Sequence, residues 1–320
     1  MGMRKTVALL ASMAAAVMLA SMLALVTAGN PARAAFPGKN GKIVFVRDPD
    51  GLGGPKDSEI YTIWFNGNNL TPLTNNSKAD NAPSWSADGK KIVFERGPYL
   101  YTMSANGSNQ KKVPNASGNN PAFSPSGRKI IYDAGDIYTI NVDGTNRTRI
   151  TNYKPADPYE ENPPFTEPVW SPVSNKIAFR WSNVIHVMPL SDLVGRKGLE
   201  ARTPVSPDFS YRPDWSPDGS QITFQRYHDP CGGSLSEPTC YSYDIYKANA
   251  NGTGTPTPLT NHPKSDTHPA FSPGGGKIVF SSNRDGDYDL YIMKADGTDD
   301  PQPLTSNSAR DVLPDWQPIQ

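Results

Sequence analysis

Helical periodicity, histidine, cysteine and surplus charge are all scarce in this chain of 320 residues, and each shortage closes off a class of function. Lysine plus arginine number 31 and aspartate plus glutamate also 31, which removes the electrostatic case for binding nucleic acid or an anionic membrane. Only four histidines occur, whereas a metal centre needs several such ligands converging. No Gly-x-Ser-x-Gly sequence is present, so the nucleophile elbow of an α/β-hydrolase is missing. Outside the first 28 residues no window keeps a 3.6-residue apolar period, and the folded part is expected to be almost entirely β. The two cysteines, Cys231 and Cys240, share one insertion. In an exported protein a pair this close reads most simply as a disulfide pinning a loop.

Export is read from the N-terminus. Arg4 and Lys5 precede a small and apolar run from Thr6 to Ala28, Gly29-Asn30-Pro31 breaks the run, and Ala32-Arg33-Ala34 is a small-x-small site. This is the pattern of a secretory signal peptide over residues 1–34, leaving 35–320 as one domain. An uncleaved membrane anchor is the alternative reading of the same run. No cysteine follows the site and no twin arginine precedes it, which points to general secretion without a lipid anchor. After cleavage the chain is expected to carry no membrane span and to act as a monomer.

What the chain has in abundance is one phrase. Pro83-Ser-Trp-Ser-Ala-Asp-Gly-Lys-Lys-Ile-Val-Phe94 recurs as 121–132, 168–179, 213–224 and 269–280. A sixth copy is split: it begins with Pro314-Asp-Trp-Gln-Pro318 and finishes with Gly41-Lys-Ile-Val-Phe45. The aromatic markers Trp85, Phe123, Trp170, Trp215, Phe271 and Trp316 are spaced by 38, 47, 45, 56 and 45 residues, the range of propeller blades. Pro-x-Trp-Ser reads as a short strand, Asp88-Gly89 and Asp218-Gly219 as hairpin turns, and Lys-Ile-Val-Phe as a second strand buried between neighbours.

A third strand follows each copy, such as Glu59-Ile-Tyr-Thr-Ile63 or Asp289-Leu-Tyr-Ile-Met293. A short fourth strand, such as Leu70-Thr-Pro-Leu-Thr74, comes after it. The expected fold is all-β: a six-bladed β-propeller of four-stranded antiparallel blades, closed by a blade shared between the N- and C-termini.

At these residues the chain resembles the TolB-like propeller family, most closely over Ser282-Asn-Arg-Asp-Gly-Asp-Tyr-Asp-Leu-Tyr-Ile-Met-Lys-Ala-Asp-Gly297. The resemblance covers about residues 36–320. It implies the propeller and docking of a protein at its mouth, as in the family's envelope role with a peptidoglycan-associated lipoprotein. Namesake members carry an α/β domain ahead of the propeller, and here the repeats are expected to follow the signal directly. The Gly-His and Trp-Asp signatures of WD-repeat propellers are missing.

Three long insertions, Asp48–Ser58, Asn152–Thr166 and Tyr227–Tyr243, fall on one face of such a ring, and a fourth, Ser191–Glu200, on the other. Lengthened loops on a rigid scaffold are where binding resides. On the same face Asp80, Asp266 and Asp311 recur three residues before the marker proline, with Asn119, Asn120, Glu167, Tyr211, Arg212 and His268 nearer to it. Arg47, Arg96 and Arg226 recur two residues beyond the second strand's aromatic. These acids and arginines form either a binding rim for a polar ligand or peptide, or a set of blade salt bridges and turn caps.

His186 stands where the other blades have tyrosine and is expected to be structural. Asn283-x-Asp285-x-Asp287-x-Asp289 has the alternate oxygen ligands of a calcium loop without its downstream glutamate. A polar hairpin explains it without metal, and no cofactor is otherwise expected.

The functional expectation is a non-catalytic module that binds a protein, a peptide or a cell-envelope component. The alternative is a lyase or hydrolase, with or without a calcium or other divalent ion, acting on a polysaccharide or small substrate in the channel around His268 and the three aspartates.

Overall fold

The computed structural model describes residues 37–49, 58–152, 165–190, 202–228 and 242–319. The expected signal segment, most of the four insertions and the Cys231–Cys240 pair lie outside the described residues.

Strands β1 (Lys39–Asp48), β2 (Glu59–Trp64) and β3 (Thr71–Pro72) are followed by five complete blades. These are β4–β7 (Asp80–Trp85, Lys91–Arg96, Tyr99–Ser104, Lys111–Ser117) and β8–β11 (Asn119–Phe123, Lys129–Ala134, Asp136–Asn141, Thr148–Arg149). Then come β12–β15 (Thr166–Trp170, Lys176–Trp181, Val184–Pro189, Thr203–Pro204) and β16–β19 (Ser210–Trp215, Gln221–His228, Ser242–Asn249, Thr257–Pro258). The fifth is β20–β23 (Asp266–Phe271, Lys277–Ser282, Asp289–Lys294, Gln302–Pro303), and β24 (Arg310–Ile319) ends the chain. Every blade is a four-stranded antiparallel meander, and β24 pairs with β1 to complete the sixth. The ring therefore closes as the divided repeat requires. Among the described residues no helix is long and apolar enough to cross a membrane.

The repeat residues explain their own positions. Within Ser-x-Asp-Gly, the Ser86 hydroxyl accepts from the Lys91 N–H and donates to Asp88, while the Gly89 N–H closes the turn on the Ser86 carbonyl. Gly89 has φ +65°, and a Cβ there would meet the Pro318 carbonyl oxygen at 2.2 Å, so both turn and close approach demand glycine. A threonine two residues beyond a fourth strand acts similarly in three blades: Thr74, Thr260 and Thr305 accept the N–H of Ile60, Ile245 and Leu290.

Six apolar clusters fill the six gaps between blades. One joins Ile43, Phe45 and Trp316 of the closing blade to Ala270, Val279 and Leu290 of its neighbour. The indoles of Trp215 and Trp316 donate to Val169 and Ala270 carbonyls of the preceding blade, at 3.4 and 3.2 Å. Five of the six outer strands are two residues long, four of them ending in proline, and these leave little free edge for pairing.

Candidate functional site

In each innermost strand the residue before the marker proline has left-handed backbone: Ala82, Asn120, Glu167, Arg212, His268 and Leu313, with φ between 44° and 58°. At the same point the ladder slips, so that two residues of the inner strand face one of its neighbour, as between Tyr211↔Gln225 and Asp214↔Thr223. This is a β-bulge repeated six times, and a bulge re-aims a side chain. Each such non-glycine residue costs about 1 kcal/mol or more. Because Ala82 and Leu313 share the conformation, the strain belongs to the repeat, while the side chain at each position sets the chemistry. All six line the central channel.

The bulged N–H groups find acceptors on the preceding blade. Asn120 N donates to Glu95 (2.6 Å), Glu167 N to Asp133 (3.0 Å) and His268 N to Gln225 (2.8 Å). These acceptors share one repeat position, immediately after the second-strand aromatic. In the β12–β15 blade that position is Arg180, and Arg212 N is accepted by Glu167 instead (2.8 Å). Arg212 also reaches Asn120 Oδ1 at 2.6 Å and lies 3.5 Å from Glu167. The mouth above this ring is a polar cavity of about 430 Å³ lined by Glu95, Asn119, Asp133, Glu167, Arg180 and Arg212, among others. Burial, partly offset by the Asn120 N–H, pushes Glu95 up to about 6, and burial also raises Asp133.

Below the prolines, a second cavity of about 160 Å³ carries Asp214 and Asp315 on its wall. Asp214 Oδ2 accepts the Phe271 N–H at 2.8 Å, and Asp315 Oδ2 the Trp85 N–H at 2.7 Å, each across a blade boundary. Burial first and the Asp315 charge second push Asp214 up to about 8. Burial raises Asp315 to about 6. His268 lines the same cavity, and its Nδ1 is buried without a hydrogen-bond partner. Enclosure by protein, with Arg212 and Arg310 nearby, holds its imidazole well below the usual histidine range.

The acids and arginines expected at the rim divide into two groups. Arg96 grips Asp80 with two bonds of 2.6 Å, and Arg47 grips Asp311 with two of 2.7 Å. Asp266 is held by Arg284 at 2.9 and 3.0 Å. All three aspartates are fully buried and each pair is internal to one blade. The arginines also stack over the blade's aromatics, Arg96 at 5.0 Å from Tyr101 and Arg284 at 4.7 Å from Tyr291. Arg226 lies over Tyr246 at 5.5 Å. An acid–histidine set for channel chemistry does not assemble from these aspartates, whose oxygens are engaged by guanidinium groups.

Asn119, Glu167, Arg212 and His268 do border the channel cavities. Tyr211 sits beside them, edge-on to Tyr243 at 5.9 Å and under Arg180 at 4.9 Å. His186 is buried and stacks on Phe179 at 5.8 Å. Asp285, Asp287 and Asp289 bring carboxylate oxygens within 4.8 Å of one another on the β21–β22 hairpin, where Tyr291 and Thr305 donate to Asp285 and Asp289. Glu95, Asp133, Arg180, Asp214 and Asp315 were not anticipated. Their signal was available: each stands at a repeat position where the other blades are free to differ.

No protein-family profile matches the chain. It is similar to the Tol-Pal system protein TolB of Francisella tularensis subsp. mediasiatica, 27% identical over 214 residues, covering 62% of this chain and 45% of that protein. It is also 31% identical over 91 residues to the protein TolB homolog of Chlamydia abortus, covering 26% of this chain and 21% of that one. The chain thus spans less than half the length of these curated relatives. Among solved structures, TolB from Acinetobacter baumannii superimposes with a TM-score of 0.68 at 21% identity, over 88% of this chain and 68% of that one. The putative TolB from Agrobacterium tumefaciens gives 0.61 at 20% identity, over 88% and 92%. The class is a closed six-bladed β-propeller, and the chain is similar in sequence and fold to the propellers of these TolB proteins.

Proposed function

We propose that this propeller is a protein-interaction module of the cell envelope that holds its partner at the channel mouth. The observation that carries this reading is the mouth cavity itself. Six bulged positions built on one rigid repeat present unlike side chains, and the second strands add Glu95, Asp133 and Arg180, with Glu167 lying between Arg180 (3.7 Å) and Arg212 (3.5 Å). A rigid frame with varied, polar chemistry at one end suits recognition. The relatives named as Tol-Pal system proteins support an envelope role, and the N-terminal signal pattern supports export.

The test is photo-crosslinking in cells. A crosslinking residue replaces Asn119, exposed at the mouth, or Val173, exposed on a turn between β12 and β13 at the other end of the blades. The expected result is a discrete adduct with an envelope protein from position 119 and none from 173. No adduct from 119, or the same adduct from both, would overturn the reading.

A further inference from the structure

The even charge balance of the whole chain conceals two opposed arcs at the end of the propeller remote from the mouth. Inner and third strands both run toward this end, so the turns that follow them share it. In blades β4–β7 and β8–β11 these turns and the strand starts beside them carry Lys90, Lys91, Lys111, Arg128, Lys129 and Arg147, against Asp88 and Asp143. Across the ring from β8–β11, the turn between β22 and β23 carries Asp296, Asp299 and Asp300.

The basic arc is exposed and its charge is not neutralised. Five of its six side chains are exposed and Lys129 is half-buried. Among the described residues none of the six forms an ion pair. Arg147 rests on neutral groups, the Tyr132 hydroxyl at 2.7 Å and the Tyr138 ring at 4.0 Å, and keeps its charge. Blade contacts make the surface continuous. Gln110 Nε2 donates to the Leu73 carbonyl of the closing blade at 3.2 Å, and Asn115 Nδ2 to the Gly144 carbonyl of the next blade at 3.2 Å.

Apolar side chains border the arc on both sides. Phe65 and Leu70, on the turn between β2 and β3, are 41% and 43% exposed, and Val173, on the turn between β12 and β13, is 45% exposed. These blades are the neighbours of β4–β7 and β8–β11 in the ring.

We propose that this end of the propeller is a docking face for an anionic lipid surface, with the basic arc on the headgroups and Phe65, Leu70 and Val173 at the acyl boundary. Lysine and arginine clusters near a bilayer are held by its negative surface potential, and apolar side chains beside them add burial. A soluble polyanion would use the charges and gain nothing from the apolar groups, so the combination selects lipid. The chain also enters the fold at this end, at Lys39, eleven residues after the apolar run closes at Ala28. A bilayer holding that run would lie on the same side. Opposed arcs tilt the molecule, bringing β4–β11 down to the lipid and lifting the Asp296–Asp300 turn away. The mouth, at the other end of the blades, stays open to a protein partner, and neither reading depends on the other.

The experiment is co-sedimentation of the full chain with vesicles of phosphatidylcholine alone or with about 30 mol% phosphatidylglycerol, at low and at physiological ionic strength. Binding at least about tenfold tighter to the anionic vesicles is expected, weakening as salt is added. Joint replacement Lys90→Gln, Lys91→Gln and Arg128→Gln removes exposed, unpaired charges and should leave the melting temperature unchanged. It should weaken anionic binding by about tenfold or more. Lys264→Gln, Lys277→Gln and Lys294→Gln together change the net charge equally but lie outside the arc, and this protein should bind as the parent does. Leu70→Ser with Val173→Ser should weaken binding by about threefold or more. The N-terminal apolar run is identical in every variant, so differences among them report the face alone.

Equal partition into both lipids, or equal losses in the two triple variants, would overturn the proposal. So would parent-like binding by the Leu70→Ser, Val173→Ser protein together with equally tight binding of soluble polygalacturonate, which would assign the arc to an anionic polysaccharide.

Discussion

Arg47, in the first strand of the fold, forms two hydrogen bonds of 2.7 Å with Asp311, which lies 264 residues away in the last. Their strands pair directly, Arg47 opposite Asp311, so this ion pair sits at the seam where the ring closes. Blade β4–β7 contains the same grip between Arg96 and Asp80, where both partners belong to one local hairpin. One side-chain device thus serves two purposes: ordinary blade stiffening inside the chain, and tethering of the ends at the seam.

Breaking the seam should therefore be costly. Arg47→Met leaves the Asp311 carboxylate, fully buried, facing Asn307 alone among its polar side-chain partners. Loss of one member of such a pair costs about 3–5 kcal/mol. Chemical denaturation should show that loss, and deletion of 310–320 should abolish the cooperative transition altogether. A truncated protein that melts like the parent would mean the closing blade is dispensable.

The fold was legible because its determinants are repeated. Pro-x-Trp-Ser, Asp-Gly and Ile-x-Phe each do one local job, and six copies average away the ambiguity of any single strand. The split copy showed the closure for the same reason. The channel was only half legible. Sequence spacing put Asp80 and Arg96 near the rim but could not show that they bond each other, because that depends on Asp80 lying opposite Arg96 in the ladder. Asp214 and Asp315 were invisible as a pair: they come from blades four and six, and only closure of the ring brings them to one cavity. The Arg284–Asp266 pair was missed because Ser282 occupies the repeat's arginine position and the turn residue Arg284 substitutes for it.

His186 stands where five other blades carry tyrosine, and it should make the fold acid-sensitive. Burial first, then the Arg202 charge, lowers it to about 4, against about 6.5 when unfolded. The unfolded chain therefore binds the extra proton, and stability contributed at neutral pH is lost as pH falls from about 6.5 toward 4. The loss at pH 5 is about 2 kcal/mol. His186→Tyr restores the repeat residue and removes the titration, so the melting temperatures of variant and parent should diverge on acidification. Parallel melting curves between pH 7 and pH 5 would show that His186 is already solvated.

Asp214 carries the opposite sign. Its carboxyl is raised to about 8 by burial and by Asp315, from an unfolded value near 3.9. Stability associated with the neutral acid is fully present below the unfolded value and is lost as pH rises through the folded one. Asp214→Asn keeps an acceptor for the Phe271 N–H and removes the ionisation. The variant should match the parent near pH 4, gain steadily toward pH 8 and hold a constant advantage above it. A gain on the order of 5 °C in melting temperature at neutral pH is expected. An Asp214→Asn protein no more stable than the parent at pH 8 would mean that the carboxylate is already solvated or paired in the channel, and the buried-acid account of the cavity would fall with it.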